Sequence, residues 1–512
     1  MQGVSLLDRE LLDADALVGH LVVEGSVHRF LADHRARVFP DELFADLFES
    51  GRGRPSVPAD VVATVLVLQS LEGLSDRDAC EALRTDIRWK VAVGAALDDE
   101  GFHPTVLTCW RRRLGGSDAP ERIFDAVRGV VADTGVLAGR SRRALDSTLL
   151  DDAVATQDTV TQLVSMIRRV RNAVDAAAAV EVAAHDYGLL GKPACAWDDP
   201  DARDALVSAL VNDAVAVLGA VDGLDLGADL EQLVGLLALV AGQDVEPDPD
   251  GPQGTWRIAR RTVKDRVVST VDPESRHMHK SGSRYRDGYK AHIAVEPDTG
   301  IITACALTPA NAPDGSTGVA LLDDEPAGLE VLGDSAYGTG PVRAELGEGG
   351  HSAVIKPWPL ARNLRLGEDQ FCRDDFDIDY DARTVTCPNN RTVPISDSGR
   401  ASFGSRCADC PLRTRCTASA TGKTFRVGEH DRLLAQARAD WRDGIGIGDY
   451  RRHRPMVERS IAWLVANRHR RVRYRGVAAN QIGLAHRAAA VNLKRLLNLG
   501  LDHNGHTWCL AA

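Results

Sequence analysis

The sequence lacks any run of about 18 uncharged apolar residues, the length a membrane-spanning helix needs, so no membrane partner is expected. Its start, MQGVSLLDRELLDADALVGH, lacks the basic end and apolar block of a secretory signal and carries acids there instead. These two absences predict a cytoplasmic protein. No internal repeat is evident. Ten cysteines in 512 residues are too few for a disulfide scaffold. Five of them, however, fall in one short stretch (Cys372, Cys387, Cys407, Cys410 and Cys416), which suggests a metal site. Positive charge is also in deficit, with 61 Lys and Arg against 73 Asp and Glu and a net charge of −12. Alone, that deficit argues against a polyanionic partner, but phosphate binding depends on where positive charge sits rather than on its total.

What is present reads as an ordinary globular protein, 44% hydrophobic and 26% charged. Its length exceeds one compact core and predicts roughly two to four domains. The segment Arg451 to Arg475, RRHRPMVERSIAWLVANRHRRVRYR, is strongly basic with Glu458 as its only acid. An arginine run is ordinarily a solvated face. A solitary carboxylate inside one changes the reading, because a basic groove around an acid suits metal-assisted phosphate chemistry.

Residues 1–138 read as an all-α N-terminal domain. PSVPADVVATVLVLQSLEGLSDRDACEAL predicts two helices with a turn at Glu72-Gly73-Leu74, Ser75 as N-cap and Asp78 completing a weak capping box. A third helix over HPTVLTCWRRRLGG places Arg111, Arg112 and Arg113 in its last turns, compatible both with a DNA-binding helical module and with plain packing. A short strand, RRALDS, is predicted to end on Asp146. Residues 153–254 read as a helical insertion closed by the Pro- and Asp-rich linker DVEPDPDGPQG. DGYKAHIAVE and IITACALTP, joined through Pro297 to Gly300, predict a β-hairpin. LEVLGD predicts a strand ending on Asp334; helices near 315–323 and from Pro341, and a strand SAVIKPW, complete this part. With 139–152, the span 255–358 forms the predicted α/β core; 359–425 is the cysteine-bearing insertion, and 426–512 holds two C-terminal helices, near 450–467 and 477–499.

Asp146, Asp334 and Glu458 are far apart in sequence, but two strand ends and a helix can bring them together. Three carboxylates suit hard divalent cations, which take oxygen ligands and keep places for water and phosphate. Two such ions about 4 Å apart activate an attacking oxygen and stabilise a leaving one.

These segments resemble the transposases of bacterial insertion sequences, the DDE class with an RNase H-like catalytic domain, over most of the chain. GRGRPSVPADVV and HPTVLTCWRRRL look like the N-terminal helical domain of one large group, LDST like the first-Asp motif and LGDSAYG like the second. DGYKAHIAVEPDTGIITACALTPANAPDG matches the intervening hairpin, and YRRHRPMVERSIAWL the Tyr–Arg–Glu signature. The resemblance implies an RNase H-like mixed-sheet core interrupted by the two insertions. It also implies Mg2+ or Mn2+ held by Asp146, Asp334 and Glu458, cleavage at transposon ends, and transfer of the freed 3′-hydroxyls to target DNA. The implied partners are terminal inverted repeats, target DNA and further copies of the chain, in a nucleoid-associated setting. Tyr450 and Arg454 fall on the helical face of Glu458. Where the family often has a lysine seven residues after the Glu, this chain has Val465, so the basic group falls to Arg468 or a neighbour such as Arg471. Lys280, Arg284 and Lys290 beside the hairpin are candidate phosphate contacts.

Cys387, Cys407, Cys410 and Cys416 offer four thiolates suited to a closed, structural zinc site in a segment too small for its own core, with Cys372 as an alternate ligand. Two other functions remain open at this point: an RNase H-like nuclease that never joins strands, and an inactive DNA-binding relic acting as a repressor.

Overall fold

The structure, a computed structural model, describes residues 1–5, 11–48, 52–259, 263, 265–281, 284–360, 367 and 369–511. Its N-terminal region is helical: α1 (Val27–Val38), α2 (Ala59–Glu72), α3 (Asp76–Thr85), α4 (Ile87–Val93), α5 (Thr105–Gly115) and α6 (Arg122–Asp133). Helix α2 is apolar around nearly its whole circumference and is buried accordingly, with the other helices laid around it. Gly73 ends it with a φ of 73°, and Ser75 opens α3 with both bonds of a capping box. Helix α4 has no counterpart in the sequence reading. It is two turns long, too short to carry a periodic signal, and is set by the Asp86 cap before it and Gly94 after it.

Next comes strand β1 (Arg142–Asp151). It does not stop at Asp146 as the sequence suggested. STLLD continues the strand, paired as far as Asp151 with Gly288, so Asp146 lies in mid-strand. Helices α7 (Thr159–Ala173), α8 (Pro200–Val221) and α9 (Ala228–Gln243) then pack on one another around their own apolar cluster, which includes Leu163, Ile167, Leu210, Val217 and Leu237. By length and composition α8 is apolar enough to cross a membrane, although Asp204 and Asp213 fall within it. Its inner face packs in this cluster, and buried Asp213 accepts bonds from Ala183 N, Ala184 N and the Tyr187 hydroxyl. Part of the expected linker is ordered as a strand, Val245–Pro247, paired with Trp256–Ile258.

The main sheet gathers β1 with β2 (Arg276–Ser281), β3 (Arg284–Val295), β4 (Ile302–Pro309), β5 (Glu330–Gly333) and β6 (Ser352–Ile355). Strand β3 is antiparallel to β1 on one side; on the other it pairs with β2 over its first half and β4 over its second. Strands β5 and β6 run parallel to β1. The fold is thus mixed α/β, with a mixed sheet beside a helical N-terminal region. Helices α10 (Asp314–Ala320) and α11 (Gly340–Glu348) cover one face. On the other lie α12 (Ile447–Val465) and α13 (Val477–Asn498), sharing one continuous core with the N-terminal helices through residues such as Leu66, Trp110, Ile293, Val457 and Ala488.

The two faces follow from the period of the strand. Ala144, Asp146 and Thr148 point one way, and Leu145 and Ser147 the other. Ala144 accordingly packs in the core of the α12 side and Leu145 in that of the α10 side.

Candidate active site

The β1–β5 pairing covers only Arg142 to Ala144. Beyond Ala144 the two strands part, and Asp146 stands on one bank of the opening. Asp334, the first residue after β5, stands on the other as N-cap of a single 3-10 turn, its Oδ1 accepting the Ala336 N–H at 2.8 Å. Helix α12 crosses β1 and presents Tyr450, Arg454 and Glu458 at successive i+4 positions. Pro455 lies inside this helix, which continues past it to Val465.

Arg454 is 6% exposed, and its Nη1 donates to Asp146 Oδ2 at 3.1 Å. The other oxygen, Asp146 Oδ1, accepts the Ser147 N–H at 2.8 Å. Burial raises the Asp146 carboxyl above the usual carboxylate range, Arg454 opposes that rise and Asp334 adds to it. Burial disfavours the charge on Arg454, but Asp146, Tyr450 and Asp334 together hold its pKa above the ordinary value. The Tyr450 hydroxyl is pushed up by burial, and also by Asp334 and Glu458, against the pull of Arg454. Asp146, Asp334 and Tyr450 thus lie within electrostatic reach of the buried Arg454 guanidinium, and Glu458 within reach of Tyr450. Asp334 and Glu458 are exposed, so the site opens to solvent on their side. Among the described residues no group of three His, Cys, Asp or Glu side chains is arranged to hold a metal ion. The donors available are nonetheless all carboxylate oxygens, the chemistry a magnesium-sized cation takes.

The basic candidates fall in different places. Lys290 is 3% exposed; its Nζ donates to the Ala312 carbonyl at 2.6 Å and pairs with Asp314 at 3.1 Å, so it faces the interior rather than a DNA backbone. Strand alternation sets this, because Lys290 shares the inner face with His292. The side chains of Lys280 and Arg284 lie outside the described residues. Arg471 bridges to Asp151 and caps the end of β1, donating to the carbonyls of Asp152 and Ala153. Asp151 is five residue steps along β1 from Asp146, about 16 Å. Arg468 is exposed and adopts a φ of 68° on the loop after α12. Tyr450 is half-buried against Trp441, with ring centroids 5.2 Å apart. In the helical module, Arg111 is not free for a ligand: it pairs with Asp76 and stacks on Tyr474. Sequence reasoning gave no role to Asp314 or Ser147, which meet behind β1. Their signal lay in LDST and ANAPDG, both quoted above without a role for either residue.

In the cysteine segment, Cys387, Cys407, Cys410 and Cys416 line one cavity with Arg406 and Arg413. The Cys416 thiol is pushed up by burial and by its three neighbouring cysteines, against Lys423. Cys372 does not line the cavity. Contrary to expectation, the segment builds a small core of its own around Phe376, Phe403 and Phe425, with the Phe376 and Phe425 ring centroids 4.3 Å apart.

Comparison with protein families matches residues 255–493 to the transposase DDE domain, a family of enzymes that catalyse DNA phosphoryl transfer. Residues 26–113 match the transposase domain DUF772. These two stretches are thus similar to a DDE transposase domain and to an N-terminal transposase domain, the first over a little less than half of the chain. Asp334 and Glu458 lie inside the DDE match; Asp146, before the helical insertion, lies outside it. Among solved structures, a cryo-EM structure of a piggyBac transposase synaptic complex with hairpin DNA is 11% identical, with 97% of this chain and 77% of that chain covered. Its TM-score is 0.27, a value at which the likeness carries no argument about fold. No curated protein matches the chain.

Proposed function

We propose that the protein is an insertion-sequence transposase that cuts the ends of its element and joins the freed 3′-hydroxyls to target DNA. The observation that supports this best is the pairing of Arg454 with Asp146, with Asp334 in electrostatic reach of both where β1 and β5 part, in a chain whose residues 255–493 are similar to a transposase DDE domain. Asp146, Asp334 and Glu458 would hold the divalent cations. When bound, the metal supplies an activated oxygen nucleophile and stabilises the leaving oxygen. Arg454 keeps Asp146 ionised and oriented before metal and DNA arrive. It also leaves its Nε buried and unbonded, available to a phosphate oxygen. Tyr450 borders the same opening and would pack against the DNA end. Arg468 and Arg471, beyond the end of α12, would grip the backbone away from the scissile phosphate; such contacts carry affinity without base readout. Two copies holding two inverted repeats would complete the active assembly. The four cysteines of the insertion would hold a structural zinc ion.

The test uses the purified full chain, Mg2+ or Mn2+, and labelled DNA from the gene's own flanks, comparing wild type with Asp334→Ala. Metal-dependent cleavage at one defined end, joining to a plasmid, and loss of both in the variant are expected. Cleavage without joining would instead identify a nuclease. DNA binding with no chemistry from the wild type would leave only a DNA-binding relic.

A further inference from the structure

Behind Asp146, on the opposite face of the sheet, lies a polar cluster with no part in the chemistry described so far. Ser147 follows Asp146 on β1 and points to the α10 side, opposite its cross-strand partner His292. Its hydroxyl donates to Asp314 Oδ1 at 2.6 Å. The same carboxylate pairs with Lys290 Nζ at 3.1 Å, and Lys290 stands on β3 beside β1. His292 Nδ1 comes within 3.8 Å of Asp314 and has no hydrogen-bond partner, while its Nε2 meets the Thr308 hydroxyl at 2.9 Å. Burial lowers the His292 pKa to about 4, so the imidazole beside the Lys290–Asp314 pair is neutral at neutral pH.

The fourth element is the turn after β5. Tyr337, three residues past Asp334, is 1% exposed, and burial, Asp314, Asp146 and Asp334 all raise its pKa. Helix α10 packs so closely on this ring that a Cβ at Gly318 would stand 2.5 Å from Tyr337 Cε1. Asp314 opens α10, so it sits where β1, β3 and the Asp334 turn are tied together from behind. This is the stretch in which β1 and β5 no longer pair with each other. No backbone hydrogen bond between those strands spans the gap among the described residues; helix α10 touches both sides, through Asp314 on Ser147 and through Gly318 on Tyr337.

We propose that Asp314 is a positioning residue: its bonds to Ser147 and Lys290 hold helix α10, which packs on Tyr337 of the Asp334 turn, against the back of β1 and so set the separation of Asp146 from Asp334. The inference rests on those two residues being the metal ligands. Partners one step removed from a ligand fix its orientation, and losing one costs about 10-fold or more in metal affinity or activity. The orientation of Asp146 is also set by its own bond to Ser147 N–H, so a shift at Ser147 moves the ligand directly.

The experiment measures Mn2+ binding to the full chain on flank DNA by loss of the free Mn2+ EPR signal, with cleavage rate followed against Mn2+ concentration. Wild type, Asp334→Ala, Asp314→Asn and Ser147→Ala are compared, with DNA affinity and thermal unfolding as controls for fold. If wild type neither binds Mn2+ nor cleaves, the active-site reading itself fails. If it does both and Asp334→Ala does neither, that reading stands and the variants judge Asp314. Expected is a half-saturating Mn2+ concentration about 10-fold higher or more in Asp314→Asn. Ser147→Ala should shift it in the same direction, with DNA affinity kept in both and cleavage partly restored at high metal. A wild-type midpoint in a folded Asp314→Asn would overturn the proposal. Should that variant not fold, a wild-type midpoint in Ser147→Ala would overturn it equally.

Discussion

Arg454 Nη1 lies 3.1 Å from Asp146 Oδ2, joining a late helix to the first strand of the sheet across 308 residues of sequence. Both groups are largely desolvated, and in such a pair removing one partner leaves an uncompensated charge in the interior. Arg454→Ala is expected to cost about 3–5 kcal/mol of stability on that ground. Arg454→Lys should retain charge but lose the planar fork and be intermediate. Urea denaturation of the three proteins at pH 7.5 measures this. A loss below about 1 kcal/mol in Arg454→Ala, the range of an exposed pair, would show that the contact contributes little to the fold.

A second junction lies where the loop after α12 meets the C-terminal end of α2. The α2 carbonyls of Ser70 and Leu71 receive Arg487 Nη1, and they also accept from His469 and Asn467 respectively. Gly73 allows that approach: its φ is 73°, and a Cβ there would stand 1.9 Å from the Asn467 carbonyl oxygen. Gly73→Ala is therefore expected to destabilise by more than about 1 kcal/mol, since alanine resists positive φ even without a clash. Gly139, also at positive φ but with open space around its Cβ position, is the control. Equal losses in the two alanine variants would remove the clash with Asn467 from the account.

The sequence was most legible where a local signal and a tertiary need coincide. Ser75 and Asp78 announced the start of α3, and Pro297 to Gly300 the turn between β3 and β4, because cap and turn chemistry is local. The end of β1 was not legible. An aspartate in mid-strand looks like a turn residue until Arg454 is known to neutralise it, and that contact is non-local. Lys290 failed for a related reason: it follows Arg284 and Arg286 in a basic stretch, yet strand alternation turns it inward to Asp314. Cysteine spacing drew attention to residues 387–416, but the three phenylalanines that give that segment a core lie far apart in sequence and formed no pattern.

The cysteine segment gives a third prediction. If its four neighbouring thiols hold zinc, the purified chain should carry one zinc per molecule by atomic emission. Cys407→Ser with Cys410→Ser should abolish it, and chelation of the wild type should lower the unfolding temperature, because bound metal adds to folding free energy. The small core around Phe376 and Phe425 predicts that the stripped segment loses stability without unfolding the rest. A metal-free chain whose unfolding temperature does not respond to added zinc would rule the site out.

The last prediction concerns acid. Burial, with nearby arginines adding to it, lowers both His469 and His486 to about 3 from the ordinary 6.5. Both histidines are thus neutral in the folded protein and take up protons on unfolding once the pH drops below about 6.5. The unfolded state then binds more protons than the native state, so stability rises with pH in this range and falls on acidification. The stabilisation is complete above the unfolded value and is lost progressively from there towards pH 3. Each histidine contributes a slope of about 1.4 kcal/mol per pH unit once the unfolded imidazole is charged. Between pH 6 and pH 5, above the range where most carboxylates titrate, the wild type should therefore lose more stability than His469→Gln with His486→Leu. Urea unfolding at pH 7.5, 6 and 5 measures both slopes. Identical slopes in the two proteins would mean that these imidazoles are not the groups that sense acid.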